Sequence, residues 1–154
     1  VRLEADPLRP AQQPHPPIIV GGRGGPRISW LTATYADEFN VSFVPLDEMK
    51  NVYRSIRETC EKLGRDPASL AWSVGQVLCC GRSEAEVERR AKAIGRDVSE
   101  LRQHSFVGTP GEVVERLGAF AEAGAGRFFL QVLDLYDLDH LRLVAEEVVP
   151  HLPA

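Results

Sequence analysis

The stretch Pro16-Pro17-Ile18-Ile19-Val20-Gly21-Gly22 places three β-branched residues between a proline pair and a glycine pair. The prolines disfavour a helix before the run, and the glycines end it. A short apolar run of this kind, bounded by glycine, is typical of a strand buried on both faces, as strands of parallel sheets are. We therefore predict a first parallel strand over residues 18–20.

From this run onwards each of four strand-like segments is followed by helix-like sequence, and each strand with the helical sequence after it forms one unit. The predicted strands cover residues 18–20, 37–44, 70–80 and 128–133, and the predicted helices cover residues 26–36, 45–63, 83–95, 109–124 and 138–151. Regular alternation predicts right-handed crossovers and a parallel sheet, which is the α/β class. Four strands fit either a small open sheet or half of an eight-stranded barrel. The periodicity of the sequence does not decide between these two folds.

Local signals mark the beginnings and the faces of several helices. Ser83 with Glu86, and Thr109 with Glu112, have the spacing of capping boxes. The charged residues 84–90 indicate a solvated helix face. In the second strand, Phe39, Val41 and Phe43 alternate with Asn40 and Ser42, which predicts one buried face. In the last helix, the predicted buried side carries Leu141, Val144, Ala145 and Val148.

Composition narrows the class of protein. The 154 residues carry a net charge of −4 and 44% apolar residues, which disfavours a general nucleic-acid binder. No apolar run approaches the roughly 20 residues that span a bilayer. Residues 1–17 are rich in proline and predict an extended leader, with one domain over residues 18–154. Because Cys60, Cys79 and Cys80 lack metal-ligand spacing, we expect reduced thiols in a cytoplasmic protein and no metal site.

Four motifs, in this order, resemble the C-terminal half of luciferase-like monooxygenases, most closely the branch that uses the deazaflavin coenzyme F-420. The motifs are residues 16–22, Tyr35-Ala36-Asp37-Glu38-Phe39-Asn40, Val107-Gly108-Thr109-Pro110-Gly111-Glu112-Val113, and Phe129-Leu130-Gln131-Val132-Leu133-Asp134. The resemblance implies a TIM (β/α) barrel, of which this chain would supply the fifth to eighth strands. It also implies an oxidoreductase that transfers hydride with a deazaflavin or flavin. The first four strands have no counterpart here, so no catalytic residue can be carried over.

The part of the site that the resemblance carries over is the phosphate end of the cofactor, at Gly21, Gly22 and the loop that follows. Physical chemistry favours the same place, because glycines let the backbone approach an anion and a helix N-terminus offers unpaired N–H groups. Arg23, Gly24 and Arg27 complete the predicted cofactor site. Coenzyme F-420 is the first candidate and FMN the second. A tight turn that binds nothing is the alternative.

Other candidates are weaker. Gln76 lies in the third predicted strand and Gln131 in the fourth; either could contact substrate at a barrel mouth, or could be satisfied by neighbouring backbone. Asp134 follows the last strand and is more typical of a helix start than of a substrate contact. The adjacent Asp37 and Glu38 should face opposite sides and share no site. Trp30 and Trp72 are expected to fill the core or an interface.

A second hypothesis belongs to a different class of protein. A half-barrel on its own would leave two sheet edges and its inner face uncovered, which proteins rarely tolerate. The chain would then be a non-catalytic half-barrel that self-associates or pairs with an N-terminal half-barrel.

Overall fold

The computed structural model describes residues 12–152, in which strands and helices alternate except for two successive helices after the third strand. Residues 12–17 of the predicted leader form no helix or strand, and residues 1–11 lie outside the described part. The elements are β1 (Ile19–Gly21), α1 (Pro26–Tyr35), β2 (Glu38–Ser42), α2 (Leu46–Lys62), β3 (Ala71–Cys80), α3 (Glu84–Ala93), α4 (Val98–His104), β4 (Phe106–Gly108), α5 (Pro110–Glu122), β5 (Arg127–Gln131) and α6 (Leu138–Glu147). Two short 3₁₀ turns lie at Pro67–Ser69 and Val149–His151.

All strand pairs in the sheet are parallel, so the α/β prediction is confirmed. The order across the main sheet is β1-β2-β3-β5. The first part of β3 pairs with β5, and its last three residues pair with β4 instead. All the carboxyl ends therefore point the same way, and the connecting helices return the chain to the opposite end.

Sequence reasoning missed β4 and α4. The strand has only three residues and the helix seven, which is too short for a period to be recognised. The Asp97 side chain caps α4 by accepting hydrogen bonds from the backbone N–H groups of Ser99 and Glu100, at 2.8 and 3.1 Å. This helix lies between β3 and β4 along the chain, close to the carboxyl end of the sheet.

The two faces of the sheet differ in burial. Phe39, Val41, Trp72 and Val74 alternate onto one face and are buried against the helices. On the other face, called the inner face here, Ile19 and Phe129 are 50% and 44% exposed. The described residues therefore leave this inner face open at β1 and β5, whereas α3 and α4 cover Val77 and Cys79 towards the end of β3.

The predicted alternation in β2 fails at its end. Phe43 has a φ of 57°, which turns the chain out of the strand, and its side chain is 46% exposed. Val44 is fully buried instead. The strand ends at Ser42, two residues before the predicted end, because the backbone turns here into α2.

The helix starts were predicted better than the helix faces. The Thr109–Glu112 capping box is present, and the Ser83 hydroxyl accepts from the N–H of Glu86. The solvated face predicted for residues 84–90 was wrong at Arg90, which is 4% exposed. In α6, His140, Leu143 and Val144 are buried, while Leu141 is 45% exposed.

The three cysteines are buried and unpaired, as predicted. Burial raises the pKa of the Cys80 thiol to about 11, so this thiol is protonated near neutral pH. Trp72 lies in the core, whereas Trp30 is 46% exposed and contacts Tyr35 edge-on. Within residues 12–152, no helix is both long and apolar enough to cross a membrane.

Candidate functional site

The glycine turn after β1 forms a tight corner at the carboxyl end of the sheet. Gly21 is paired with Asn40, and the N–H of Gly22 donates to the carbonyl of Asn40 at 3.1 Å. Gly24 and Gly25 then have φ values of 81° and 91°, which L side chains rarely adopt. A Cβ on Gly24 would lie 3.3 Å from Cγ1 of Val52, so this loop runs close against α2.

Helix α1 begins at this corner with free donors. Its N-cap, Gly25, has no capping side chain, and its first turn contains no acidic residue. The other five α-helices described each have an acidic residue there. Among residues 12–152, the backbone N–H groups of Arg27 and Ile28 have no acceptor. An uncapped N-terminus of this kind has the donors and the dipole that favour an anion.

The two arginines of the corner differ in their partners. Arg23 Nε lies 3.3 Å from Glu48 Oε1, and its Nη2 donates to the Phe43 carbonyl at 3.2 Å. Arg27 is exposed and forms no hydrogen bond or ion pair with any described residue. The five residues predicted to bind the cofactor thus lie at one corner, and Arg27 keeps its charge uncompensated there.

A trough with a volume of about 590 Å³ opens on the inner face beside this corner. It is bordered by Ile19, Gly21, Asn40, Ser42, Phe43, Gly75, Gln76, Phe129, Leu130 and Gln131. The trough is mainly apolar with a few polar groups, which is typical of small-molecule sites.

A short chain of hydrogen bonds fixes the polar side chains in the floor of the trough. Ser42 Oγ donates to Asn40 Oδ1 at 2.5 Å, and Asn40 Nδ2 donates to Ser73 Oγ at 2.9 Å. A Cβ on Gly75 would lie 2.8 Å from Ser42 Oγ, so a glycine is needed to leave room for this hydroxyl. Sequence reasoning missed these residues. The signal was present in β2, where Asn40 and Ser42 alternate with buried apolar residues.

The adjacent carboxylates Asp37 and Glu38 have separate partners, as expected. Asp37 accepts from the N–H of Ile18 at 2.7 Å. Glu38 is 3% exposed and forms an ion pair with Arg127 across the inner face, at the amino end of the strands. The two do not form a shared acid–base site.

Gln76 and Gln131 lie on opposite faces of the sheet. Gln76 is fully buried on the helix side, and its Nε2 donates to the Val44 carbonyl at 2.6 Å, whereas its Oε1 has no partner among the described residues. Gln131 is exposed on the inner face. A substrate contact by either residue stays a prediction. Asp134 accepts from the N–H of Tyr136 at 3.0 Å, and the residue that caps α6 is Asp137.

A buried ionic cluster supports the carboxyl end of β3. Arg90 Nη1 donates to the Cys80 carbonyl at 2.8 Å, and Arg90 also pairs with Asp137 at 2.8 Å and Glu86 at 2.7 Å. The N–H of Cys80 donates to His140 Nε2 at 3.0 Å. The bond from Arg90 holds the pKa of Asp137 below its usual value. Burial first, and then the charge of Arg90, lower the pKa of His140.

The lowered pKa of His140 predicts a loss of stability on mild acidification. The unfolded histidine takes up its proton near its ordinary pKa of 6.5, whereas the folded one resists until a lower pH. The free energy of unfolding should therefore fall as the pH drops below this value, before most carboxylates titrate. Arg90, Asp137, Glu86 and Asp134 are the charged groups that act on this histidine.

Urea unfolding at about pH 7.5 and about pH 5.5 measures this effect. In His140→Gln, the amide oxygen can still accept from the N–H of Cys80. The difference in the free energy of unfolding between the two pH values should be smaller in this variant. His151→Gln, at an exposed position, is the control and should keep it. An unchanged pH difference in His140→Gln would contradict the assignment.

Sequence comparison places this half-barrel of parallel β/α units in a known family. The pattern of the luciferase-like monooxygenases matches residues 4–104, about two thirds of the chain. The chain therefore belongs to the luciferase-like monooxygenase family. No curated protein sequence matches it.

Solved structures share this fold with the chain at low sequence identity. The coenzyme F-420-dependent tetrahydromethanopterin reductase from Methanopyrus kandleri matches 89% of this chain and 51% of its own, with a TM-score of 0.71 and 17% identity. An F-420-dependent secondary alcohol dehydrogenase, in complex with an F-420–acetone adduct, matches 92% and 50%, with a TM-score of 0.76 and 15% identity.

A third match uses a different cofactor. The oxygenating constituent of 3,6-diketocamphane monooxygenase from Pseudomonas putida, in complex with FMN, matches 90% of this chain and 50% of its own, with a TM-score of 0.64 and 20% identity. The chain spans about half the length of these structures. The prediction of β/α units from part of a TIM barrel is confirmed.

Proposed function

We propose that this chain is part of a luciferase-like oxidoreductase, and that the corner between β1 and α1 binds the phosphate of a deazaflavin cofactor, coenzyme F-420. The observation that carries the proposal is the uncapped, acid-free N-terminus of α1 behind Gly24 and Gly25. Arg27, unpaired in residues 12–152, adds a positive charge in the first turn. These groups fit a phosphate, whose oxygens accept from backbone N–H and guanidinium donors.

The trough beside the corner fits the ring of the same cofactor. Gly21 belongs to both the corner and the trough, so a ligand held by its phosphate would have its ring over the inner face. Ile19 and Phe129 offer apolar surface. The Ser42 hydroxyl proton is already donated to Asn40, so Ser42 offers an acceptor to a ring N–H. Such a cofactor supplies the hydride chemistry, while these residues bind and orient it.

FMN is the second candidate for the cofactor. Its phosphate would use the same donors, and the Pseudomonas putida structure that shares this fold is a complex with FMN. The two cofactors differ in the ring and in the groups beyond the phosphate. We therefore propose the corner as the phosphate site for either cofactor. Residues elsewhere in the barrel, which contact the ring and the other groups, would determine which of the two binds.

A second candidate function follows from the exposed inner face. Ile19 and Phe129 are about half exposed, and β1 and β5 form open edges of the described sheet. Apolar surface and open edges of this kind favour association. A non-catalytic half-barrel that pairs with a second copy, or with an N-terminal half-barrel, would cover the apolar inner face and the open edges.

Calorimetric titration with FMN and with riboflavin tests the phosphate corner. The two ligands have the same ring, so their difference isolates the phosphate. Hydrogen bonds to a charged group contribute about 1.5–3 kcal/mol, so FMN should bind at least about tenfold more tightly than riboflavin. Equal affinities would contradict the proposal. No binding of FMN or F-420, with a stable dimer by light scattering, would favour the second candidate.

A further inference from the structure

A second pocket lies beside the trough, under the short helix α4. Its volume is about 340 Å³, and it shares Phe43 and Gln131 with the trough. Val77 of β3 and Leu101 of α4 form apolar parts of its wall. The pocket is thus at the carboxyl ends of the strands, the end at which barrel enzymes place their active sites.

Polar side chains without partners converge on this pocket. Arg96, Glu100, His104, Ser105 and Gln131 line it, and within residues 12–152 none of their side chains forms a hydrogen bond or an ion pair. Ser105 is the sharpest case, because it is 1% exposed and its Oγ has no partner. A buried hydroxyl without a partner is costly, and a bound ligand would remove that cost.

We propose that this pocket binds the polar end of the substrate, an uncharged, oxygen-rich molecule with neighbouring hydroxyl or carbonyl groups. Arg96 supplies donors and Glu100 supplies acceptors, while Ser105 and Gln131 supply both. The charges of Arg96 and Glu100 offset one another, so an anion gains no net attraction. A mixed set of donors and acceptors suits hydroxyl groups, which both donate and accept.

The position of the pocket gives this ligand a role in the proposed reaction. A molecule held by its polar end under α4 would reach the trough past Phe43 and Gln131, where the cofactor ring is proposed to lie. The role as substrate rests on the proposed function. The pocket and its ligand class do not, since they are argued from residues outside the phosphate corner.

The test is an NMR titration of the ¹⁵N-labelled chain, without cofactor, using erythritol, acetate and 1-hexanol as probes. Erythritol should shift the amide signals of His104 and Ser105 saturably, and it should bind more tightly than the other two probes. Tighter binding of acetate or hexanol would overturn the ligand class. Erythritol shifts that do not saturate, or that lie elsewhere, would overturn the pocket.

The variant Ser105→Ala tests the buried hydroxyl. Because that hydroxyl is buried without a partner in the described chain, its removal should raise the unfolding midpoint or leave it in place, and it should weaken erythritol binding at least about tenfold. Ser55→Ala, at an exposed position on α2, is the matched control and should bind as the unaltered chain does. Unaltered erythritol binding in Ser105→Ala would overturn the inference. FMN titration of the same samples reports separately on the phosphate corner.

Discussion

Replacing Arg90 with alanine is expected to lower the free energy of unfolding by about 3–5 kcal/mol. Arg90 is 4% exposed and compensates both Asp137 and Glu86. The substitution would leave Asp137, whose side chain is 13% exposed, without its cation, and the Cys80 carbonyl without its donor. Because these contacts join α3, β3 and the start of α6, their loss should weaken the whole carboxyl end of the sheet.

Urea denaturation measures this loss. Arg89→Ala changes the neighbouring arginine, whose side chain is 62% exposed, and should stay within about 0.5 kcal/mol of the unaltered chain. The double variant Arg90→Met with Asp137→Asn removes both charges and should recover part of the loss, since an unpaired buried charge is the costly state. A loss below about 1 kcal/mol in Arg90→Ala would contradict the buried cluster.

Reversing the charge at Arg27 is expected to weaken FMN binding by about ten- to a hundredfold. Arg27→Glu removes a cation from the first turn of α1 and places a carboxylate next to the proposed phosphate position. Arg27 forms no hydrogen bond or ion pair with a described residue, so the fold should tolerate the change. Riboflavin has no phosphate, and its affinity should change far less.

Calorimetry with FMN and riboflavin separates these effects. Arg89→Glu makes the same change in net charge on α3 and controls for long-range electrostatics. It should leave the affinity for FMN within about twofold. If Arg27→Glu and Arg89→Glu weaken FMN binding equally, the corner has no specific part in binding.

Features that are fixed by neighbouring residues could be predicted from the sequence. The glycine turn at residues 21–25 and the capping box at Thr109 and Glu112 need only local chemistry, and both are present. The strand β4 and the helix α4 could not be predicted. They are short, and β4 is defined by its pairing with the end of β3 rather than by its own pattern.

The residues of the candidate site also fall into those that the sequence could predict and those that only the fold brings together. The glycines of the corner lie within a few residues of one another, so their sequence was enough to find them. Asn40, Ser42 and Gly75 come together only through the register of β2 with β3. Arg90 looked solvated because its partner Asp137 lies 47 residues away along the chain. Burial of a charge depends on such distant partners, which helix periodicity does not reveal.

The most direct test of the phosphate corner is to map FMN binding onto backbone amide signals of the ¹⁵N-labelled chain. The largest shifts should fall on residues 23–25, 27 and 28, which have backbone N–H groups, and riboflavin should leave these signals nearly unchanged. The signals of residues on α3 and α5 should stay in place. FMN shifts centred elsewhere, or equal shifts at residues 23–28 with riboflavin, would contradict the assignment of this corner.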